Sequence, residues 1–136
     1  MKQLLALALI ATLAACGSSA NRSSASSDPC DASGIAGAID NESGSNDAPK
    51  TKGDRLDDMV ANIVQCEAAS GTASTDPHDP LNLQFARANL AAGKAYALAG
   101  DASDARQHLS TAVFTAKFVG NAQVESEANA ALKALH

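Results

Sequence analysis

Alanine fills 16 of the 57 positions from 80 to 136, and this excess limits the folds open to the chain more than any other feature. Alanine has the highest helix propensity and a very small side chain. A segment rich in it forms helices whose axes pack at the close end of the usual spacing of roughly 8–10 Å. Each alanine buries little apolar surface, so the expected stability is modest. All four aromatic residues, Phe85, Tyr96, Phe114 and Phe118, fall in the same stretch, which places the expected core there.

Start and stop signals divide the stretch into helices. Asp79-Pro80 reads as an N-cap followed by proline in the first turn, an arrangement in which the missing proline N–H costs nothing. The helix it opens runs to about Ala99 and stops at Gly100. It carries Leu83, Ala86, Leu90 and Ala97 on one face and Leu81, Phe85, Ala88 and Ala92 on another, which predicts cover on two sides. Asp101 opens the next helix, with Ala105, Leu109, Ala112, Ala116 and Val119 in a stripe and Phe114 and Phe118 opposite. Asn121 caps the last, whose stripe is Val124, Ala128, Ala131, Leu132 and Leu135. Upstream, Asp54 is expected to open the first helix, ending at Gly71, with Leu56, Met59, Val60, Ile63 and Val64 at the i, i+3, i+4, i+7, i+8 spacing and Asp57 and Asp58 in its first turn. Cys66 falls on the flank of that stripe. One-sided outer helices and two-sided inner ones suit a row of antiparallel helices, so residues 54–136 are expected to form an all-α domain, an antiparallel helical-hairpin array of about four helices.

The chain opens differently. Lys2 precedes an apolar run over 4–13 in which Thr12 is the only polar residue, and Ala14 and Ala15 follow. This is the charged, apolar, small-residue order of a secretory signal, and the run is too short for a membrane span of about 20 residues. The tetrapeptide Leu13-Ala14-Ala15-Cys16 resembles the lipobox of bacterial lipoproteins; the alternative is an ordinary signal with a chance cysteine. The resemblance implies a signal peptide over 1–15, a diacylglycerol on the Cys16 thiol and an acyl group on its freed amine, with no other cofactor. Several acyl chains make a durable anchor where one binds only reversibly. Gly17 stands where the enterobacterial pattern uses Asp to hold lipoproteins in the inner membrane. The resemblance therefore favours the periplasmic face of the outer membrane, with the inner membrane and the cell surface as alternatives.

Cleavage after residue 15 leaves 121 of the 136 residues, one ordinary domain, and the loss of Lys2 takes a formal charge of −5 one unit further negative. An acidic surface repels phosphate backbones and anionic headgroups, which argues against nucleic acid and against electrostatic membrane contact beyond the lipid. With Cys16 modified, Cys30 and Cys66 remain, and in an oxidising compartment a disulfide between them is expected. Closing that loop restricts the unfolded chain by roughly 4 kcal/mol in the chain-entropy picture. Two unpaired thiols, or an intermolecular bond, are the alternatives.

Between anchor and domain, residues 16–53 read as lipidated cysteine, tether and polar loop. Residues 17–28 are dominated by serine and hold no large apolar side chain; such composition makes a flexible spacer with a reach of about 20 Å. Ile35 and Ile39, four apart around Gly37, predict a short helix over 33–39 docked beside Cys30. Asp40, Glu42 and Asp47 are expected in a solvated acidic loop rather than a calcium site, because EF-hand spacing and the terminal Glu are absent.

Gly93 and Tyr96, Gly100, and Ala105, Leu109 and Ala112 resemble one tetratricopeptide repeat, a helix-turn-helix unit of about 34 residues. Gly93 and Tyr96 match the family's Gly-x-x-Tyr, Gly100 falls in the turn, and the last three take the small-large-small positions of the second helix. The resemblance spans residues 80–120. The chain departs from the pattern at Asn89 for the early Trp, Ala92 for the Leu before the glycine and Lys117 for the closing Pro, and no second copy appears. A generic four-helix array with the same spacing is the alternative.

Nothing in the sequence argues for an enzyme. His78, His108 and His136 lie far apart, and no Gly-x-Ser-x-Gly, His-Glu-x-x-His or phosphate loop is present; each histidine is expected to be a solvated side chain, and no catalytic or metal residue is assigned. Asp76-Pro-His-Asp-Pro80 reads as a rigid turn into the following helix rather than a metal site. The expectation is a membrane-anchored, periplasm-facing lipoprotein acting as a protein-protein interaction or assembly module of the cell envelope, because repeats of this kind offer a concave surface to peptides and helices. Asn82, Arg87, Asn89, Lys94 and Tyr96 are the candidate partner contacts, with Tyr96 read more readily as core and the rest alternatively as ordinary wet surface. The alternative is a self-associating structural or stress-related envelope protein that pairs through Phe114 and Phe118; a small-ligand carrier or enzyme ranks below both.

Overall fold

Four of the five helices begin on a side chain that satisfies an otherwise orphaned backbone N–H. Asp31 accepts from Gly34 N at 2.8 Å and opens α1 (Ala32–Ser43). Asp79 accepts from Leu81 N at 2.9 Å and opens α3 (Pro80–Ala99). Asp101 opens α4 (Ala102–Phe118) through Asp104 N, and Asn121 opens α5 (Ala122–Lys133) through Val124 N at 3.0 Å. α2 (Pro49–Ser70) has no side-chain cap and begins instead on a proline, which has no N–H to satisfy. The computed structural model describes residues 28–71 and 75–135, which hold these five helices and no strand. The stretch expected to be a signal peptide, Cys16, the expected spacer before Asp28, residues 72–74 and His136 lie outside the described residues.

Two sequence expectations change here. Asp54 does not open a helix: α2 starts at Pro49, and Asp54 sits in its second turn, where its carboxylate meets Lys50 Nζ at 2.6 Å and accepts from the Tyr96 hydroxyl at 2.9 Å. The short helix expected over 33–39 runs from Ala32 to Ser43, so residues expected as polar loop are helical, and the described residues hold it beside the four helices expected over 54–136. Ile35 and Ile39 are buried and hold α1 down, while the acidic residues beyond them face cations of neighbouring helices, Asp40 toward Arg87 at 2.7 Å and Glu42 toward Arg55 at 3.4 Å.

α3 is the centre. It packs on all four other helices, most extensively on α2 and α4, whereas α1 and α5 do not approach each other and neither do the backbones of α2 and α4. Residues of α3 therefore belong to two cores. With α1 and α2, Ala88, Ala92 and Tyr96 enclose Ile35, Ile39, Leu56 and Ile63; with α4 and α5, Ala86 and Leu90 enclose Leu109, Ala112, Ala116, Val124 and Ala128. Gly93 permits the closest approach. A Cβ there would fall 2.6 Å from Leu109 Cγ and 3.1 Å from Leu109 N, so the glycine is required by packing although it weakens the helix.

The α3–α4 turn needs a second glycine for a different reason. Gly100 adopts φ 81, and its N–H and that of Asp101 close onto the carbonyls of Ala97 and Tyr96, a left-handed stop that L side chains resist. Cys30 and Cys66 are joined in a disulfide with Cα atoms 5.4 Å apart, fastening the start of α1 to the last part of α2. With Leu56, Ile63 and Cys66 turned inward, Val64 is rotated out of its expected stripe and is 47% exposed.

The aromatics do not mark the core as expected. Tyr96 is buried, but Phe114 is 76% exposed and Phe118 41%. The core side of α4 is the line Ala105, Leu109, Ala112 and Ala116, all fully buried, and those small side chains bring α4 close to α3, leaving the rings to the outer side. Gly93→Ala is therefore expected to destabilise the protein by about 1–3 kcal/mol through overpacking, despite the roughly 1 kcal/mol that alanine adds in helix propensity. Urea unfolding should show a lower midpoint at unchanged slope.

Candidate functional site

Because α1 and α5 each pack on α3 and not on each other, one face of α3 is left at the bottom of an open cleft of about 660 Å³. Its floor is apolar, built from Leu83, Leu90, Ala91, Ala95 and Leu98 of α3, with Ile39 of α1 and Val124 of α5 on the walls. Leu98 stands 79% exposed near the C-terminal end of α3. Uncovered apolar surface in a concavity, flanked by polar groups, is the usual character of a binding site.

Charged pairs join floor to walls. Arg87 Nη2 of α3 meets Asp40 Oδ1 of α1 at 2.7 Å, and Lys94 Nζ of α3 meets Glu127 Oε2 of α5 at 2.6 Å. Lys94, and secondarily Gln123, hold the Glu127 carboxyl below its ordinary range. Lys52 closes the α1 side by donating to the carbonyls of Ser43 at 3.2 Å and Ser45 at 2.7 Å. Such exposed pairs contribute little stability; they present both signs of charge along the cleft.

Of the five residues expected to contact a partner, Arg87 and Lys94 line the cleft. Asn82, Asn89 and Tyr96 are buried and spend their polar groups inside the chain. Asn82 Nδ2 donates to Asp76 O at 2.8 Å, fixing the turn before α3, where the Asp76 carboxylate also accepts from His78 N at 2.9 Å. Asn89 Nδ2 donates to Phe85 O at 2.9 Å, which aims its oxygen at His108 Nδ1, 3.0 Å away. The cleft residues that sequence reasoning missed are Leu83, Leu90 and Leu98, read as packing or passed over, and the acids Asp40 and Glu127. Their signal was the spacing 83, 87, 90, 94, 98, one face of α3 with apolar and cationic residues interleaved.

His108 overturns its expectation as a solvated side chain. It is 8% exposed, stacks on the Tyr96 ring at 5.4 Å between centroids and 14° between planes, and places Nε2 3.5 Å from Asp57 Oδ1. Since Asn89 presents its oxygen, Nδ1–H is the donor in that bond. His108 thus ties α4 to α3 and α2 at once. Burial raises the Tyr96 hydroxyl far above its ordinary pKa, with the bond to Asp54 adding to the effect, so Tyr96 remains a donor wherever the protein is folded. Lys50, above the Tyr96 ring at 4.9 Å, and then Tyr96 itself hold the Asp54 carboxyl below its ordinary range.

Among the described residues no helix is long and apolar enough to cross a membrane. No protein-family model matches the chain, and neither the curated proteins nor the solved structures contain a match.

The carboxylates set an acid limit. Asp31, held down by Ser33 and Gly34, and Asp54 and Glu127 all have depressed folded-state values, so their contribution to stability is complete above the unfolded carboxylate range of about 4 and lost as pH falls through the folded values. Glu67 opposes them: burial, then Asp79, raises it, and its Oε1 is buried without a partner, so its protonation on acidification favours the fold. Thermal unfolding against pH should show a Tm that drops below about pH 4. In Asp54→Asn the drop should be shallower, and in Glu67→Gln any rise just above it should disappear.

Proposed function

We propose that the chain is a lipid-anchored, periplasm-facing lipoprotein of the outer membrane that works as a protein-protein interaction or assembly module of the cell envelope, with the cleft over α3 receiving a segment of its partner. The observation that carries the binding half of this reading is the apolar floor, exposed at Leu98 and half-buried at Leu83 and Ala91, between the Arg87–Asp40 and Lys94–Glu127 pairs. An amphipathic helix or short peptide suits that surface: apolar side chains enter the floor and its own charges exchange with the flanking pairs. The anchoring half rests on Leu13-Ala14-Ala15-Cys16 and the lipid that a lipobox implies on Cys16.

The architecture is read as tetratricopeptide-like on three supports. Helices alternate between those that flank the cleft on α3, namely α1 and α5, and those that back it, α2 and α4. Gly93 meets Leu109 at the crossing, and Gly100 makes the turn. In such an array the alternate helices line the concave side, which is where the cleft lies. The reading gives the chain no catalytic residue, metal or nucleic-acid partner.

A photo-reactive amino acid at Leu98 in the lipidated chain, irradiated in its native envelope, tests the reading. A discrete adduct with one envelope protein is expected, lost when Arg87→Glu and Lys94→Glu are added together, and absent when the probe replaces the exposed Gln107 of α4. Equal labelling from Leu98 and Gln107, or none from Leu98, contradicts a binding cleft.

A further inference from the structure

The outer side of α4 holds an apolar feature that the cleft does not use. Phe114 and Phe118 are one turn apart and 76% and 41% exposed among the described residues. Their position follows from the helix register. Gly53 of α2 lies against Tyr96 of α3, and Gly93 of α3 against Leu109 of α4. Because helices rise equally per residue, antiparallel stepping from these contacts brings Phe118, the first turn of α3 and Cys66 to one end of the bundle. The disulfide brings Cys30 to that end as well, and Asp28, where the chain arrives from Cys16, is two residues before it. Leu98 and Gly100 lie at the other end.

We propose that Phe114 and Phe118 form a second membrane contact, entering the interface of the same bilayer that holds the Cys16 lipid and orienting the domain with the Leu98 end outward. The inference rests on the lipoprotein reading above. Twelve residues, 17–28, can span at most about 40 Å, so the Asp28 end stays within that distance of the lipid, the rings are held near the bilayer and a weak contact suffices. Charge agrees locally. The chain is acidic overall, yet residues 105–118 contain Arg106 and Lys117 and no Asp or Glu, and both cations are exposed. Lys117 sits between the two rings in sequence, suited to a headgroup phosphate while the rings reach the acyl boundary.

Area argues against a second copy as the cover. Two partly exposed phenylalanines offer roughly 250 Å² per chain, about 500 Å² for a symmetric pair, well under the roughly 1,000 Å² that a specific interface needs. A bilayer has no such threshold once the lipid has localised the chain.

The chain has no tryptophan, so Phe118→Trp places a single reporter in the patch without touching the core. The lipidated variant is reconstituted in phosphatidylethanolamine–phosphatidylglycerol vesicles, with and without bromine on the acyl chains. The expected result is co-flotation, blue-shifted emission and loss of intensity in the brominated vesicles, while Leu98→Trp at the other end floats and stays unshifted and unquenched. Floating Phe118→Trp that behaves like Leu98→Trp overturns the contact and leaves the anchor standing. A blue shift without quenching, accompanied by a doubled mass, overturns it in favour of a second copy. Failure to float overturns the anchor, and the contact with it.

Discussion

The contact between Gly93 and Leu109 sets the geometry of everything else. At that crossing a single added carbon would lie 2.6 Å from Leu109 Cγ, and the small residues packed with Leu109 are alanines: Ala86 on α3, Ala112 and Ala116 on α4. Small side chains on both helices bring the axes close, and a close pair offers α3 little area per contact. The fold compensates by surrounding α3. Four neighbours pack on it, each contributing a few large residues, Leu56 and Ile63 from α2, Ile35 and Ile39 from α1, Leu109 from α4 and Val124 from α5.

Surrounding one helix with four has two consequences. Polar groups on α3 are trapped, and they must be satisfied inside: Asn89 meets His108 and Phe85 O, Asn82 meets Asp76 O, and Tyr96 meets Asp54. These bonds cross between helices and fix which face of each looks inward. The other consequence is the cleft. α1 and α5 approach α3 from different sides and stop short of each other, so α3 stays uncovered at Leu98 and half-open at Leu83 and Ala91, with salt bridges at the margins. Cleft and core are two faces of the same helix.

What the sequence makes legible is local. Asp79-Pro80, Gly100, Asp101 and Asn121 mark their helix ends because a cap or a left-handed stop depends on a few adjacent residues. α1 and the start of α2 were obscured because Gly34, Gly37 and Gly53 and the run of polar residues resemble loop; what makes them helical is the burial of Ile35 and Ile39 on other helices and the Cys30–Cys66 bond. The candidate contacts fared according to direction. Arg87 and Lys94 face the cleft, but Asn82, Asn89 and His108 are polar residues with partners 6 to 51 positions away, so side-chain chemistry suggested surface where pairing put them inside. Phe114 and Phe118 err in the opposite sense, since the alanine stripe of α4 already fills the core side.

If α3 is the element on which the others depend, local opening should follow that dependence. α1 and α5 each have one open side along the cleft and can detach singly, whereas α3 is released only when its neighbours leave. Native-state hydrogen exchange on the disulfide-bonded chain measures this directly. Amides of 86–96 are expected to exchange last, at the free energy of global unfolding, with α1 and α5 opening at lower free energy. Exchange from α3 at or before the opening of α1 and α5 would contradict that dependence.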